Sequence, residues 1–201
     1  MNILLKEVRL IERWSPKMGG VFSVSDLKSL FNQDNLAILK RRVDRLAAEG
    51  VLARFCRGIY TTPKYDADTL ASRVSPHSYV SLGTVLAREL MIGSIPAHTL
   101  SSVKIGRTRT FEGPSLTLVY LGLAEHLFFG FRRERGIQAA TPEKALLDTL
   151  YFHQRGHAFS FDIFSDIDVS RVDRRLLESY LEKYRNPRFV RFVEGYLDER
   201  A

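Results

Sequence analysis

The chain has 201 residues, 45% of them hydrophobic, with 30 Lys/Arg against 23 Asp/Glu and a net charge of +7. This content excludes a disordered chain and fits one or two domains, and no apolar run reaches the ~18–20 residues of a membrane span, so no membrane is expected as a partner. A single cysteine, Cys56, excludes an internal disulfide, and a start without a signal-peptide core points with it to the cytoplasm. Residues 2–14 carry apolar side chains at helical spacing and predict a first helix. Ser23–Phe31 predicts a second. Ser23 or Ser25 is its N-cap, Asp26 lies in its first turn, and Val24, Leu27, Leu30 and Phe31 recur on one side. A turn, 32–35, follows, with Asn32 or Asp34 as the next cap. Leu36–Glu49 then predicts a basic amphipathic helix. Leu36, Leu39, Val43 and Leu46 make its apolar stripe, and Ala37, Ile38, Arg41 and Arg45 fall opposite. Gly50 ends it, and Val51–Pro63 predicts a hairpin with Arg57-Gly58 at its tip.

Helix, turn, basic helix and Arg-tipped hairpin are the ordered parts of a winged helix-turn-helix, a double-stranded DNA reader. In that arrangement Gln33, Asn35, Ala37, Ile38 and Arg41 lie near base edges. Lys40, which flanks the stripe with Arg42, joins the basic face; Arg42 and Arg45 meet phosphates, and Arg54 and Arg57 reach the neighbouring backbone or minor groove. Charge follows the same division. Residues 1–65 hold twelve Lys/Arg and six Asp/Glu, whereas the remainder holds eighteen and seventeen. The excess that attracts phosphate therefore sits on the DNA-reading part.

The boundary is expected at Thr62–Asp68, which gives a DNA-binding domain over 1–65 and a mixed α/β domain over 66–201. The second part predicts helices over 67–74 and His77–Met91, the latter stopped by Gly93 and Pro96. Strands are predicted over 99–105, 108–111, 116–121, 126–131 and 136–140. Thr141-Pro142-Glu143 is a helix start with Thr as N-cap and Pro at the first position. Leu146, Leu147, Leu150 and Tyr151 form that helix's apolar stripe, with Asp148 and Thr149 off it. Two more helices are predicted over 170–184 and 187–199. The fold class expected is α+β, an N-terminal winged helix-turn-helix followed by a mixed α/β C-terminal domain.

Three segments resemble one family. They are Arg57-Gly58-Ile59-Tyr60, Tyr79-Val-Ser-Leu-Gly-Thr-Val-Leu-Ala87, and Thr141-Pro142-Glu143-Lys144-Ala145-Leu146-Leu147-Asp148. In this order the chain resembles the AbiEi-like antitoxins of bacterial toxin–antitoxin and phage-defence systems, with Lys144 where an arginine is usual. The resemblance implies a bifunctional protein. Its N-terminal domain binds repeats in its own promoter and represses the operon. Its C-terminal domain helps counteract a nucleotidyltransferase-like toxin, with which it need not form a stable complex. The alternative is a stand-alone repressor whose second domain senses a ligand or dimerises, and a homodimer is open in either case.

No catalytic residue, cofactor or metal is expected. Asp26-Leu27-Lys28 is the chain's one Asp/Glu-x-Lys triplet and is read as helix-start acid and exposed lysine, not as part of a nuclease core. Asp162, Asp166 and Asp168 are read as turn and cap acids, although such a cluster suits a hard cation. His153 and His157 have the spacing of a zinc pair, but Gly156 between them and the lack of a nearby cysteine favour a solvated helix end. Glu143 is read as a first-turn acid and Asp148 as a polar-face residue or structural acceptor. Arg107 and Arg109 with Arg132, Arg133 and Arg135 are read as solvated loop charge or, more sharply, as a second basic patch for nucleic acid or an acidic partner.

Overall fold

The computed structural model describes residues 3–93 and 97–200. Asn2 and Pro96, which the sequence assigned to the first helix and to a helix stop, lie outside these residues. Among the described residues the fold is mixed α+β, with eight α-helices and two sheets. Two compact units divide at Pro76–His77, with Glu112–Pro114 grouped with the first. No helix among the described residues is long and apolar enough to cross a membrane.

The first unit runs α1 (Ile3–Trp14), β1 (Val21–Ser23), α2 (Val24–Phe31), α3 (Leu36–Ala48), β2 (Ala53–Cys56), β3 (Ile59–Thr61) and α4 (Ala67–Val74). Its small sheet has the order β1-β3-β2, antiparallel throughout. The core is Ile11, Phe22, Leu27, Phe31, Leu39, Val43, Leu46 and Leu52. The unpredicted strand β1 is only three residues long, too short for a period of two to register. Leu36, expected in the apolar stripe of α3, is 60% exposed, because the first turn of α3 projects past the core that Leu39, Val43 and Leu46 fill.

Caps fix the helix ends. Ser23 Oγ accepts from the Asp26 N–H, and the Asp26 carboxylate accepts from the Ser23 N–H at 2.7 Å, a complete capping box. Asn32 is the left-handed C-cap of α2 (φ +46°), a conformation asparagine tolerates. The cap of α3 is therefore Asn35, not Asn32 or Asp34: its Oδ1 accepts from Ala37 N–H and Ile38 N–H at 3.0 and 3.2 Å. Arg73 of α4 pairs with Asp26 at 2.5 Å. Burial acts to raise the Asp26 carboxyl, but the Ser23 hydrogen bonds and the Arg73 charge outweigh it and hold it below its ordinary value. Asp26→Ala is expected to cost about 1–2 kcal/mol, the range of a lost cap. A depressed carboxyl stabilises the fold above its ordinary value of 3.8 and loses that contribution as pH falls through the folded value. Urea midpoints at neutral pH should separate the variant from the parent, and midpoints in strong acid should bring them together.

The first unit extends one helix beyond the expected boundary at 65/66. Leu70 and Ala71 are buried, the Asp66 N–H donates to Gly19 O at 2.8 Å, and α4 packs on β1 and β3.

The second unit runs β4 (Ser78–Val80), α5 (Gly83–Arg88), β5 (Thr99–Ile105), β6 (Arg109–Glu112), β7 (Thr117–Leu123), β8 (Phe131–Glu134), β9 (Ile137–Ala140), α6 (Pro142–Gln154), α7 (Arg174–Leu181) and α8 (Pro187–Asp198). Its six-stranded sheet has the order β6-β7-β5-β4-β9-β8. The helix expected over His77–Met91 is instead strand β4, a turn and α5. Leu82 breaks it with φ +58°, ψ −148°, and β4 is held between β5 and β9, so sheet pairing overrides the helical spacing. The strand expected over 126–131 is a 3-10 turn (Glu125–Leu127), and the strand begins at Phe131. Thr141 caps α6 as expected, its Oγ1 accepting from the Lys144 N–H. That helix, however, has no polar face over its first turns: Glu143, Lys144, Asp148 and Thr149 are all buried.

Candidate nucleic-acid interface

The side of α3 away from the core carries Ala37, Ile38, Lys40, Arg41, Asp44 and Arg45, all exposed. Asp44, which the sequence reading passed over, puts a negative charge among Arg41 and Arg45. Gln33 and Asn35 stand at the start of this face, but both amide oxygens are engaged by backbone: Gln33 Oε1 accepts from the Asn35 N–H at 3.0 Å, and Asn35 caps the helix. The hairpin carries Arg54 and Arg57, both exposed. Gly58 takes φ +83° at its tip, and a bulge between Arg54 and Cys56 twists the strand there. Arg54 Nε donates to Cys56 O at 3.4 Å. The Cys56 thiol is pushed up by burial.

Arg42 is placed differently from its neighbours. Its Nη1 lies 3.2 Å from Glu7 Oε1 of α1, and the Glu7 side chain is 5% exposed. The guanidinium grouped with the phosphate contacts is thus turned toward the core. Glu7 could have been found from sequence, since an acid in the apolar series Leu4, Val8 and Ile11 needs a buried partner. Burial raises the Glu7 carboxyl above its ordinary 4.5, and the nearby Arg42 charge opposes this without cancelling it. Arg42→Ala is expected to cost about 1–2 kcal/mol at neutral pH, the range for a buried group left without its partner. A raised carboxyl lowers fold stability as pH climbs from 4.5 through the folded value, and removing Arg42 raises it further. Denaturation curves in acid should make variant and parent coincide, and the gap should open as pH rises.

The second basic patch does not assemble. Arg109 lies on β6 and Arg132 and Arg133 on β8, the two opposite edges of the larger sheet. Five strand spacings separate them, roughly 24 Å.

The other candidates have local roles. Asp162 Oδ1 accepts from the Phe164 and Ser165 N–H groups at 2.6 and 2.9 Å, which lowers its carboxyl. Asp166 accepts from the Asp162 N–H and Asp168 from the Ser170 N–H. His153 stacks on Phe192 and meets Phe164 edge-on, while His157 meets Phe159 edge-on. Among the described residues no group of three or more His, Cys, Asp or Glu is placed to hold a metal ion. A groove of about 610 Å³ between α7 and α8 has a mixed lining, the acids Glu178, Glu182, Glu194 and Asp198, the last paired with Arg174, beside Leu181, Tyr184, Val190 and Leu197.

Two of the three resemblance segments meet inside the second unit. Asp148, fully buried, accepts from Tyr79 Oη at 3.0 Å, Ser81 Oγ at 2.8 Å and Lys144 Nζ at 2.5 Å. Lys144 Nζ also donates to Tyr184 Oη at 3.0 Å and lies 4.7 Å from the centre of the Phe129 ring. Burial lowers the Lys144 ammonium, with Asp148 opposing, and burial pushes Tyr79 and Tyr184 well above their ordinary value. Asp148 is therefore a structural acceptor, not a polar-face residue. No protein-family model matches the chain, and no curated protein matches it.

Proposed function

We propose that the chain is a DNA-binding transcriptional regulator, the antitoxin of an AbiEi-like toxin–antitoxin pair, which represses its own operon and counteracts a nucleotidyltransferase-like toxin. The first unit is read as a winged helix-turn-helix: α2 and α3 are the two helices and the β2–β3 hairpin is the wing. The observation that carries this reading is the outward face of α3. Ala37, Ile38, Arg41 and Arg45 stand exposed on it, capped by Asn35, and an Arg-tipped hairpin follows. A helix with short side chains and guanidinium groups suits a major groove, where Arg pairs with guanine O6 and N7. The hairpin supplies charge for phosphate or the minor groove. The antitoxin part rests on the three resembling segments. The proposal assigns binding and no chemistry.

The test is fluorescence anisotropy with DNA from upstream of the gene, against a shuffled duplex, at two salt concentrations. A preference that survives the higher salt supports autoregulation. Equal binding that salt erases reduces the role to a non-specific polyanion contact. Growth rescue on induction of a neighbouring toxin tests the second half.

A further inference from the structure

The hairpin of the first unit has a counterpart in the second. Arg54-Phe55-Cys56-Arg57-Gly58-Ile59 and Arg132-Arg133-Glu134-Arg135-Gly136-Ile137 share the spacing R-x-x-R-G-I. In both, Arg-Gly is the two-residue tip between antiparallel strands, with Cys56 facing Ile59 and Glu134 facing Ile137. In both, the tip glycine is left-handed, φ +83° and +84°. Each hairpin carries the same net charge, since Glu134 offsets one of the three arginines of the second.

Turn geometry does not account for the second tip. Arg135 itself has φ +49°, a conformation costly for a residue with a Cβ and best met by Asn or Gly. An arginine there costs the turn stability. Edge protection explains part of β8, because charged side chains on an edge strand block strand addition. It does not explain a guanidinium at the tip, beyond the ladder.

The base of the hairpin is anchored. Phe131 stacks on Tyr79 at 5.0 Å. With the Gln138 amide in the orientation that satisfies its neighbours, its nitrogen donates to Ser78 O at 2.9 Å and its oxygen accepts from Arg133 Nε at 3.1 Å. Arg133 is thereby held along the strand by Gln138, whereas the equally exposed Arg132 and Arg135 are not bound to it.

We infer that the 131–140 hairpin is a second phosphate-binding finger for duplex DNA, in which Arg132 and Arg135 pair with backbone phosphates and read no bases. Guanidinium forks suit phosphate oxygens. The inference rests on the DNA-binding reading of the first unit.

The experiment measures the salt dependence of full-chain binding to a random-sequence duplex by fluorescence anisotropy. The variants are Arg132→Gln with Arg135→Gln, and Arg54→Gln with Arg57→Gln. Two lost phosphate contacts should lower the log–log salt slope by about 1.8. The Arg132→Lys, Arg135→Lys chain should keep the parental slope, which separates lost charge from a damaged fold. A parental chain that binds, with an unchanged slope in the glutamine variant, overturns the inference and leaves the first-unit reading standing. A parental chain that binds no duplex overturns both. An unchanged DNA slope with lost binding to polyglutamate would assign the hairpin to an acidic protein surface and also overturn it.

Discussion

Asp148→Ala is expected to remove about 3–5 kcal/mol of stability, the range for breaking a buried ion pair from one side. Asp148 has no exposed surface and takes three hydrogen bonds, from Tyr79, Ser81 and Lys144. Alanine takes this acceptor from all three donors. The Lys144 ammonium would retain only the Tyr184 hydroxyl and the ring faces of Phe129, Tyr79 and Tyr184. Lys144 is already lowered by burial, and without Asp148 it falls further. A lowered lysine destabilises the fold below its folded value, and stability recovers as pH rises toward the ordinary 10.5. The deficit of Asp148→Ala should therefore shrink as pH rises from neutral toward 10.5. Adding Lys144→Met removes the stranded charge and should restore part of the loss, a coupling that a double-mutant cycle reads directly. Urea denaturation of the four chains measures it. A loss under about 1 kcal/mol, the size of an ordinary hydrogen bond, would mean that water or a shifted partner satisfies Lys144.

On the proposed DNA-binding function, Arg41→Ala is expected to weaken binding to the duplex from upstream of the gene by about 1–3 kcal/mol and to relax preference at one base pair. Arg41 is exposed midway along the outward face of α3, whereas Arg42, the next residue, is spent on Glu7. The two neighbouring arginines should thus separate cleanly. Arg41→Ala changes affinity with little effect on the urea midpoint, and Arg42→Ala changes the midpoint. Affinity across a panel of single-base operator variants distinguishes base contact from phosphate contact. An equal loss on every duplex would move Arg41 to the phosphate group, alongside Arg45.

The regular helices of the first unit were legible because their apolar side chains repeat at helical spacing and their caps are strong. Ser23 with Asp26 is an explicit capping box, and in the second unit Thr141-Pro142 is an equally explicit start. The second unit was less legible where the sheet decides. Ser78–Val80 carries a helix-compatible spacing, yet its place between two strands imposes extension. Charged residues misled in one consistent way. By residue type Arg42 groups with the phosphate contacts and Asp148 stays open between polar face and structural acceptor; Arg42 instead pairs with Glu7 of another helix, and Asp148 with Lys144 one turn away on its own buried helix. Periodicity reports which side a residue faces only when its chemistry matches that side, and an internal ion pair defeats this from both ends. The split of Arg109 from Arg132 was likewise hidden, because strand order is not written in local sequence.

The position of α4 also bears on how such proteins can be taken apart and recombined. Its buried Leu70, its Arg73–Asp26 pair and the Asp66–Gly19 hydrogen bond make it the closing latch of the smaller sheet. A graft that moved the first unit onto another protein with its cut after residue 65 would leave that sheet uncovered and α2 without the partner of its capping acid. The seam that preserves both lies at Pro76. The unit of exchange is thus one helix longer than the segment that ends with the β2–β3 hairpin, and any chimera built from this chain must inherit that helix along with it.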